Sequence, residues 1–251
     1  MKEAMRLPGI VMTVIMTVLF VLGVHSFFVV PPQAKREAAE IEENLRRQQE
    51  EAEARRRAQQ EEMARRAKEE EERRKQEEYL EAHPWKRFAD SSDMAVVGIG
   101  DSVMLGAIGE LYNMFPNGYF DAVFGRTIFT GKTVTADLGQ QDLLGDVVVF
   151  SLGTNSYIEQ SDIDELISYC GTRPTFWLTT YGVSNDSNEK TRQAIEKYEE
   201  AYMIDWENVA LEHRGYILAD GLHPTPEGAI AYAQLIHDTI NECLELSGGS
   251  E

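Results

Sequence analysis

The sequence predicts an α/β domain built on a parallel sheet with helices on both faces, and three observations carry that prediction. From His83 onward, short runs rich in Val, Ile and Phe alternate with longer stretches of helical periodicity. The runs Val96–Ile99 and Val147–Leu152 are apolar with little interruption, as strands buried on both faces are. Each then breaks into glycine and small polar residues, which puts those residues on the rim beyond the carboxyl ends of the strands.

In chain order, strands are expected at Met94–Ile99, Tyr119–Phe124, Val147–Leu152, Thr175–Tyr181 and, shorter, near Met203–Trp206. Helices are expected at Ser102–Phe115, where Pro116-Asn117-Gly118 forms the stop, and at Asp162–Cys170, Ser187–Ala201 and Pro226–Leu246. Thr225 reads as the cap of the last helix and Pro226 as its first residue. Gly131–Gly145 reads as an irregular stretch lining the rim.

Two segments of different composition precede this domain. Residues 1–34 contain an apolar run, Gly9–Val30, whose only ionisable side chain is His25. A span needs ~20 residues, so the run is long enough to cross a bilayer. Lys2 and Arg6 ahead of it favour a cytoplasmic N-terminus. The competing reading is a cleaved signal peptide with Val24 and Ser26 at its cleavage site, but Phe27-Phe28-Val29-Val30 prolongs the run past that point. Pro31-Pro32 is expected to end this helix.

Residues 35–82 hold thirteen basic and sixteen acidic residues and are almost wholly Glu, Arg, Lys, Gln and Ala. Nine Glu side chains, from Glu42 to Glu71, have a basic partner four positions later, the orientation that adds ~0.3 kcal/mol per pair to an isolated helix. A coiled-coil seam begins with Ala38, Ile41, Leu45 and Ala52 but then meets Arg55, Gln59, Glu62 and Arg66. The expectation is a solvated charged stalk, with a disordered linker as the alternative and weak pairing of two stalks near the membrane end.

Residues 83–251 hold nine basic and twenty-six acidic residues, which argues against nucleic acid and anionic lipid as ligands. No Cys/His cluster has metal-ligand spacing, and no metal or other cofactor is expected. Cys170 and Cys243 are the two cysteines, and the sequence does not require them to pair.

Four blocks carry chemistry. Gly100-Asp101-Ser102-Val103-Met104 places a serine between a strand end and a helix start, where its hydroxyl can be exposed and its N–H can face an anion. Asp and Ser are also ordinary helix caps, so the later blocks decide. Phe124-Gly125-Arg126 and Gly153-Thr154-Asn155 follow two further strands and can supply oxyanion donors. In Asp220-Gly221-Leu222-His223-Pro224, His223 can act as base with Asp220 orienting its other ring nitrogen. His83, His213 and His237 read as surface residues, Trp177 and Trp206 as core, and Arg126 as a substrate contact or a sheet-edge ion pair.

These blocks, with Asp205-Trp206 ahead of the last, resemble the SGNH (GDSL-type) hydrolase family over roughly Met94–Leu244. The match is nearest the extracytoplasmic domain of peptidoglycan O-acetyltransferases. The resemblance implies a flavodoxin-like three-layer sandwich and a serine acyl-ester enzyme, an O-acetyltransferase or O-acetyl esterase acting on cell-wall or surface carbohydrate. It makes Ser102 the nucleophile, Asp220 and His223 its partners, and the N–H groups of Ser102 and Gly125 with the Asn155 amide the oxyanion hole. It also implies that the helix after the third strand and the last helix cover opposite faces, which sets Cys170 apart from Cys243.

The expected organisation is thus a membrane anchor over 1–34, a helical stalk over 35–82 and a catalytic domain over 83–251, held outside the cell by a single span. Members of that subgroup carry a multi-span acyltransferase domain ahead of this one. The expected partners are therefore an O-acylated glycan and either a separate membrane acyltransferase or, in an esterase, water. The rival class is a non-catalytic surface spacer or complex-organising subunit, against which the Ser/Asn/Asp/His set speaks.

Overall fold

The computed structural model describes residues 12–20, 32–183 and 186–245. The chain divides into two units, Met1–Arg74 and Lys75–Glu251. In the first, residues 12–20 are helical, and the rest of the expected span Gly9–Val30 lies outside the described residues. Among the described residues no helix is long and apolar enough to cross a membrane.

Helix α1, Pro32–Ala82, begins in this unit and buries no side chain. Pro32 was expected to close the preceding segment, but it is the first described residue of α1, a place where its missing N–H costs no hydrogen bond. The expected pairs that form include Glu43–Arg47 at 2.6 Å, Glu62–Arg66 at 2.5 Å, Glu53–Arg57 at 3.8 Å and Glu51–Arg55 at 4.0 Å. Arg46–Glu50, Arg65–Glu69 and Lys68–Glu72 pair in the opposite order. All are solvent-exposed and each adds only a few tenths of a kcal/mol, so the helix depends on their number. Ile41, Leu45 and Met63 stand exposed on it without forming a continuous seam.

The second unit is a three-layer α/β sandwich. Its strands are β1 (Val96–Gly100), β2 (Tyr119–Ala122), β3 (Val147–Ser151), β4 (Thr175–Leu178) and β5 (Ala201–Ile204). They form one parallel sheet in the order β2-β1-β3-β4-β5. The helices are α2 (Ser102–Gly106), α3 (Ile108–Met114), α4 (Ile128–Gln140), α5 (Gln160–Cys170), α6 (Ser187–Ile195), α7 (Trp206–Glu212) and α8 (Pro226–Glu245).

Every residue of β1 and β3 is buried because both faces of the sheet are covered. Alternate side chains enter two separate cores. Val96, Val147 and Val149 pack with Met104, Leu111, Trp206, Tyr232 and Ile236 under α2, α3, α7 and α8. Val97, Ile99, Val148 and Phe150 pack with Ile128, Ile163, Leu166 and Ala194 under α4, α5 and α6. Cys170 belongs to the second core and Cys243 to the first, so the sheet separates them.

The expected irregular stretch Gly131–Gly145 is largely helix α4. Its glycines are sites of close approach rather than breaks. A Cβ on Gly131 would lie 2.7 Å from Leu152, and one on Gly139 would lie 2.9 Å from the Tyr169 carbonyl. Thr127 caps the helix reciprocally with Thr130. The expected helix Ser102–Phe115 breaks at Ala107, where Gly106 packs against Pro224. The expected helix Ser187–Ala201 stops at Ile195, Ala201–Ile204 is the last strand, and Trp206 opens a further helix that the sequence reading did not include.

Helix α8 meets the chain ahead of it closely. Thr225 caps it, accepting from the Gly228 N–H at 3.1 Å, and a Cβ on Gly228 would stand 2.0 Å from the Tyr216 carbonyl oxygen. Gly228→Ala is therefore expected to cost about 1–3 kcal/mol in denaturant unfolding. Gly109→Ala in α3, with nothing within 4 Å of its new methyl, is expected to be neutral or to stabilise by up to ~1 kcal/mol.

Candidate active site

The site is built at the carboxyl ends of β2, β1 and β3, which lie side by side. Backbone pairing continues past the strands: the Asp101 N–H donates to the Ser151 carbonyl at 3.0 Å and the Val123 N–H to the Gly100 carbonyl at 3.2 Å. The loops that follow are thus held at their roots. Gly98 and Gly100 leave the space that Met104 and Phe120 fill, so α2 sits directly on β1 and Ser102 emerges at its first turn.

Asp101 is fully buried and caps α2, its Oδ1 accepting from the Val103 N–H at 3.0 Å. Burial pushes its carboxyl above the ordinary value, opposed by the Val103 hydrogen bond and by Thr154. Asp101 thus locks the turn that presents Ser102.

Ser102 Oγ lies 2.9 Å from His223 Nε2, across 121 positions of sequence. His223 Nδ1 lies 2.8 Å from Asp220 Oδ2. Asp220 Oδ1 also accepts from the Leu222 N–H at 3.0 Å and the His223 N–H at 3.1 Å. The hydrogen bond to His223, followed by those to the two backbone N–H groups, holds the Asp220 carboxyl at about 2. This loop is pinned at both ends, since the Leu218 N–H donates to the His223 carbonyl at 2.8 Å and the Thr225 N–H to the Tyr216 carbonyl at 2.8 Å.

The expected oxyanion donors sit on the same rim. Gly125 follows β2 with φ +70°, a conformation glycine adopts without strain. Asn155 follows β3, and its Nδ2 donates to the Arg126 carbonyl at 3.2 Å, which joins the two loops. Arg126 is buried, and its guanidinium donates to the Asp121 carbonyl and carboxylate at 2.5 Å each, so it is a sheet-edge ion pair. Trp177 and Trp206 are core.

Of the other histidines, His213 is exposed as expected, while two depart from the surface reading. His83 is partly buried, with Nε2 3.3 Å from Glu200, and His237 is partly buried between Asp90 at 3.2 Å and Asp238 at 3.0 Å. Asp90 and Glu200 come from segments far from their histidines in sequence, whereas Asp238 is the residue next to His237. Sequence reasoning gave Phe124 no role beyond its place in the Phe124-Gly125-Arg126 block and passed over Phe129 and Tyr157, all three of which the fold leaves exposed. Among the described residues no group of acidic, His or Cys side chains is arranged to hold a metal.

No family model matches the chain. It is 29% identical over 154 residues, 60% of its length, to the candidate peptidoglycan O-acetyltransferase YrhL of Bacillus subtilis (strain 168). It is 26% identical over 149 residues, 58% of its length, to peptidoglycan O-acetyltransferase OatA of Listeria monocytogenes. The chain spans about a quarter, 24%, of the length of each. In fold it is similar to the C-terminal catalytic domain of Streptococcus pneumoniae OatA, with a TM-score of 0.52 at 24% identity, over 62% of this chain and 95% of that one. A family 3 carbohydrate esterase of Clostridium thermocellum gives 0.50 at 16% identity, over 62% and 100%. The sequence relatives are peptidoglycan O-acetyltransferases and the fold neighbours include a catalytic domain of one such protein and an esterase, which bears out the resemblance of the four blocks to the SGNH (GDSL-type) hydrolase family.

Proposed function

We propose that the chain is a membrane-anchored, extracytoplasmic serine acyl-ester enzyme that transfers or hydrolyses O-acetyl groups on cell-wall or surface carbohydrate. The observation that carries the reading is the relay Ser102 Oγ–His223 Nε2–Asp220, with contacts of 2.9 and 2.8 Å. The substrate class rests on the names of the sequence relatives.

In this mechanism His223 Nε2 takes the Ser102 proton as Oγ attacks the acyl carbon. The negative charge on the carbonyl oxygen is met by the N–H groups of Ser102 and Gly125 and by the Asn155 amide. Collapse expels the first alcohol, which takes the proton from His223, and leaves an ester on Ser102. Water or a sugar hydroxyl, deprotonated by His223, then attacks that ester and restores the serine. Water gives an esterase, and a sugar hydroxyl gives a transferase with the acyl group supplied by a membrane acyltransferase.

Ser102→Ala and His223→Ala are each expected to reduce turnover of an activated acetyl ester to background while the circular dichroism melt is retained. Asp220→Asn should lose less than either, because it orients the ring and stabilises its charged form. Asn155→Ala should lower kcat by ~10²-fold if its amide meets the oxyanion, and near-normal activity in Ser102→Ala would overturn the whole reading.

The pH dependence follows from the loop. Asp220 is held at about 2, below its unfolded value near ~3.9, so its stabilising effect is complete above that value and is lost as pH falls through about 2. It stays ionised throughout the range where imidazoles take up a proton. Asp220 is therefore expected to add no step of its own to the pH profile of turnover or of the melt until pH approaches about 2. A step in the melt under milder acid that is present in the wild type and absent from Asp220→Asn would contradict this.

Topology gives a further expectation. The apolar run Gly9–Val30 would cross the membrane with Lys2 and Arg6 inside, leaving α1 and the enzyme outside. External protease on cells with a permeable wall should release the α/β unit. Protection there, with digestion in inside-out vesicles, would reverse the orientation and remove wall glycan as substrate.

A further inference from the structure

We infer that Phe124, Phe129 and Tyr157 form an aromatic platform beside Ser102 on which sugar rings of a neutral glycan chain stack, and that this platform selects carbohydrate over other esters. The inference rests on the reading of Ser102 as an acyl-transfer nucleophile and assigns the residues that recognise the substrate.

Within the unit Lys75–Glu251 these are the three most exposed aromatic side chains, at 82% for Phe124, 70% for Tyr157 and 65% for Phe129. The fold has room for large rings elsewhere, since Trp85, Trp177 and Trp206 are all buried. Phe124 and Tyr157 lie on the two loops that carry the expected oxyanion donors, and Phe129 lies in the first turn of the helix that follows one of them. Phe124 precedes Gly125, Tyr157 is two residues after Asn155, and Phe129 is the second residue of α4.

Those loops are laced together at two points, by Asn155 Nδ2 to the Arg126 carbonyl at 3.2 Å and by the Ile128 N–H to Ser156 Oγ at 2.9 Å. The rings are thus set on backbone held by the same bonds that hold the anion-facing groups. Phe129 is further fixed by the Lys132 ammonium, 5.3 Å from its ring centre, which Asp162 and Glu165 hold at 2.9 and 2.7 Å. In this proposal an ester whose carbonyl lies against Ser102, Gly125 and Asn155 sets its sugar over rings carried by the segments that hold those groups.

A pyranose ring has flat C–H faces and a polar rim, so it buries well against aromatic faces while its hydroxyls stay in water. The chemistry of the surroundings narrows the occupant. Residues 83–251 carry nine basic against twenty-six acidic groups, which repels anionic lipid and nucleic acid and is indifferent to a neutral sugar.

The test uses the full chain in detergent. Phe124→Ala, Phe129→Ala and Tyr157→Ala are made singly and together, and kcat and KM are measured with O-acetylated soluble glycan strands and with a small acetyl ester that has no ring. The expected result is a rise in glycan KM of about tenfold for each ring removed, and a fall of roughly 100-fold or more in glycan-over-small-ester specificity for the triple variant. Unchanged specificity in the triple variant overturns the platform while leaving the serine chemistry standing. Should the wild type turn over neither ester, binding decides. Glycan held by the Ser102→Ala protein and lost when the three rings are also removed supports the platform; glycan not held overturns it. A dimer that falls to a monomer in the triple variant, with glycan binding unaltered, would assign the rings to contact between copies and also overturn it.

Discussion

The hydrogen bond between Ser102 Oγ and His223 Nε2 is the contact toward which the loops of the α/β unit are arranged. It joins residues 121 positions apart, each held on its own loop by separate bonds. Ser102 stands on a five-residue helix seated on β1 because Gly98 and Gly100 give Met104 and Phe120 their space. His223 stands on a loop clamped by the capped start of α8 and by the bridge between Ile217 and Pro224. Pro224 in turn packs against Gly106, at the break between α2 and α3. The two halves of the relay are therefore braced against each other through apolar contact as well as through the hydrogen bond.

Charge is distributed around this relay in a way that suits it. The Asp220 carboxylate is held low by three donors and remains a fixed negative charge beside the imidazole. Asp101, one residue from the nucleophile, is pushed the other way by its burial. Two carboxyl groups flanking one site thus have opposite shifts. The exposed one is suited to stabilising a charged imidazole, and the buried one to holding backbone.

Much of this was legible in the sequence, for physical reasons. The β1 and β3 runs are apolar because both faces are covered, so strands and rim loops could be placed to within a residue or two. The motif residues gather because parallel strands put all their carboxyl ends on one edge. What was not legible depends on contacts between distant segments. Gly131 and Gly139 resemble helix breakers until Leu152 and Tyr169 are seen to need their space. At the break by Ala107, Gly106 lies against Pro224, more than a hundred residues away. Phe124, Phe129 and Tyr157 have core-like side chains, and only the fold reveals that nothing covers them. His237 reads as a surface residue until Asp90 folds against it.

The central claim is that Ser102 becomes acylated, and mass spectrometry of the quenched protein tests it most directly. After brief incubation with an activated acetyl ester and acid quenching, the peptide containing Ser102 should carry one acetyl group. That label should be absent from Ser102→Ala and should disappear when water or glycan is given time to react. Turnover of the ester with no acetyl group on that peptide, or with the group on another residue, would contradict the account.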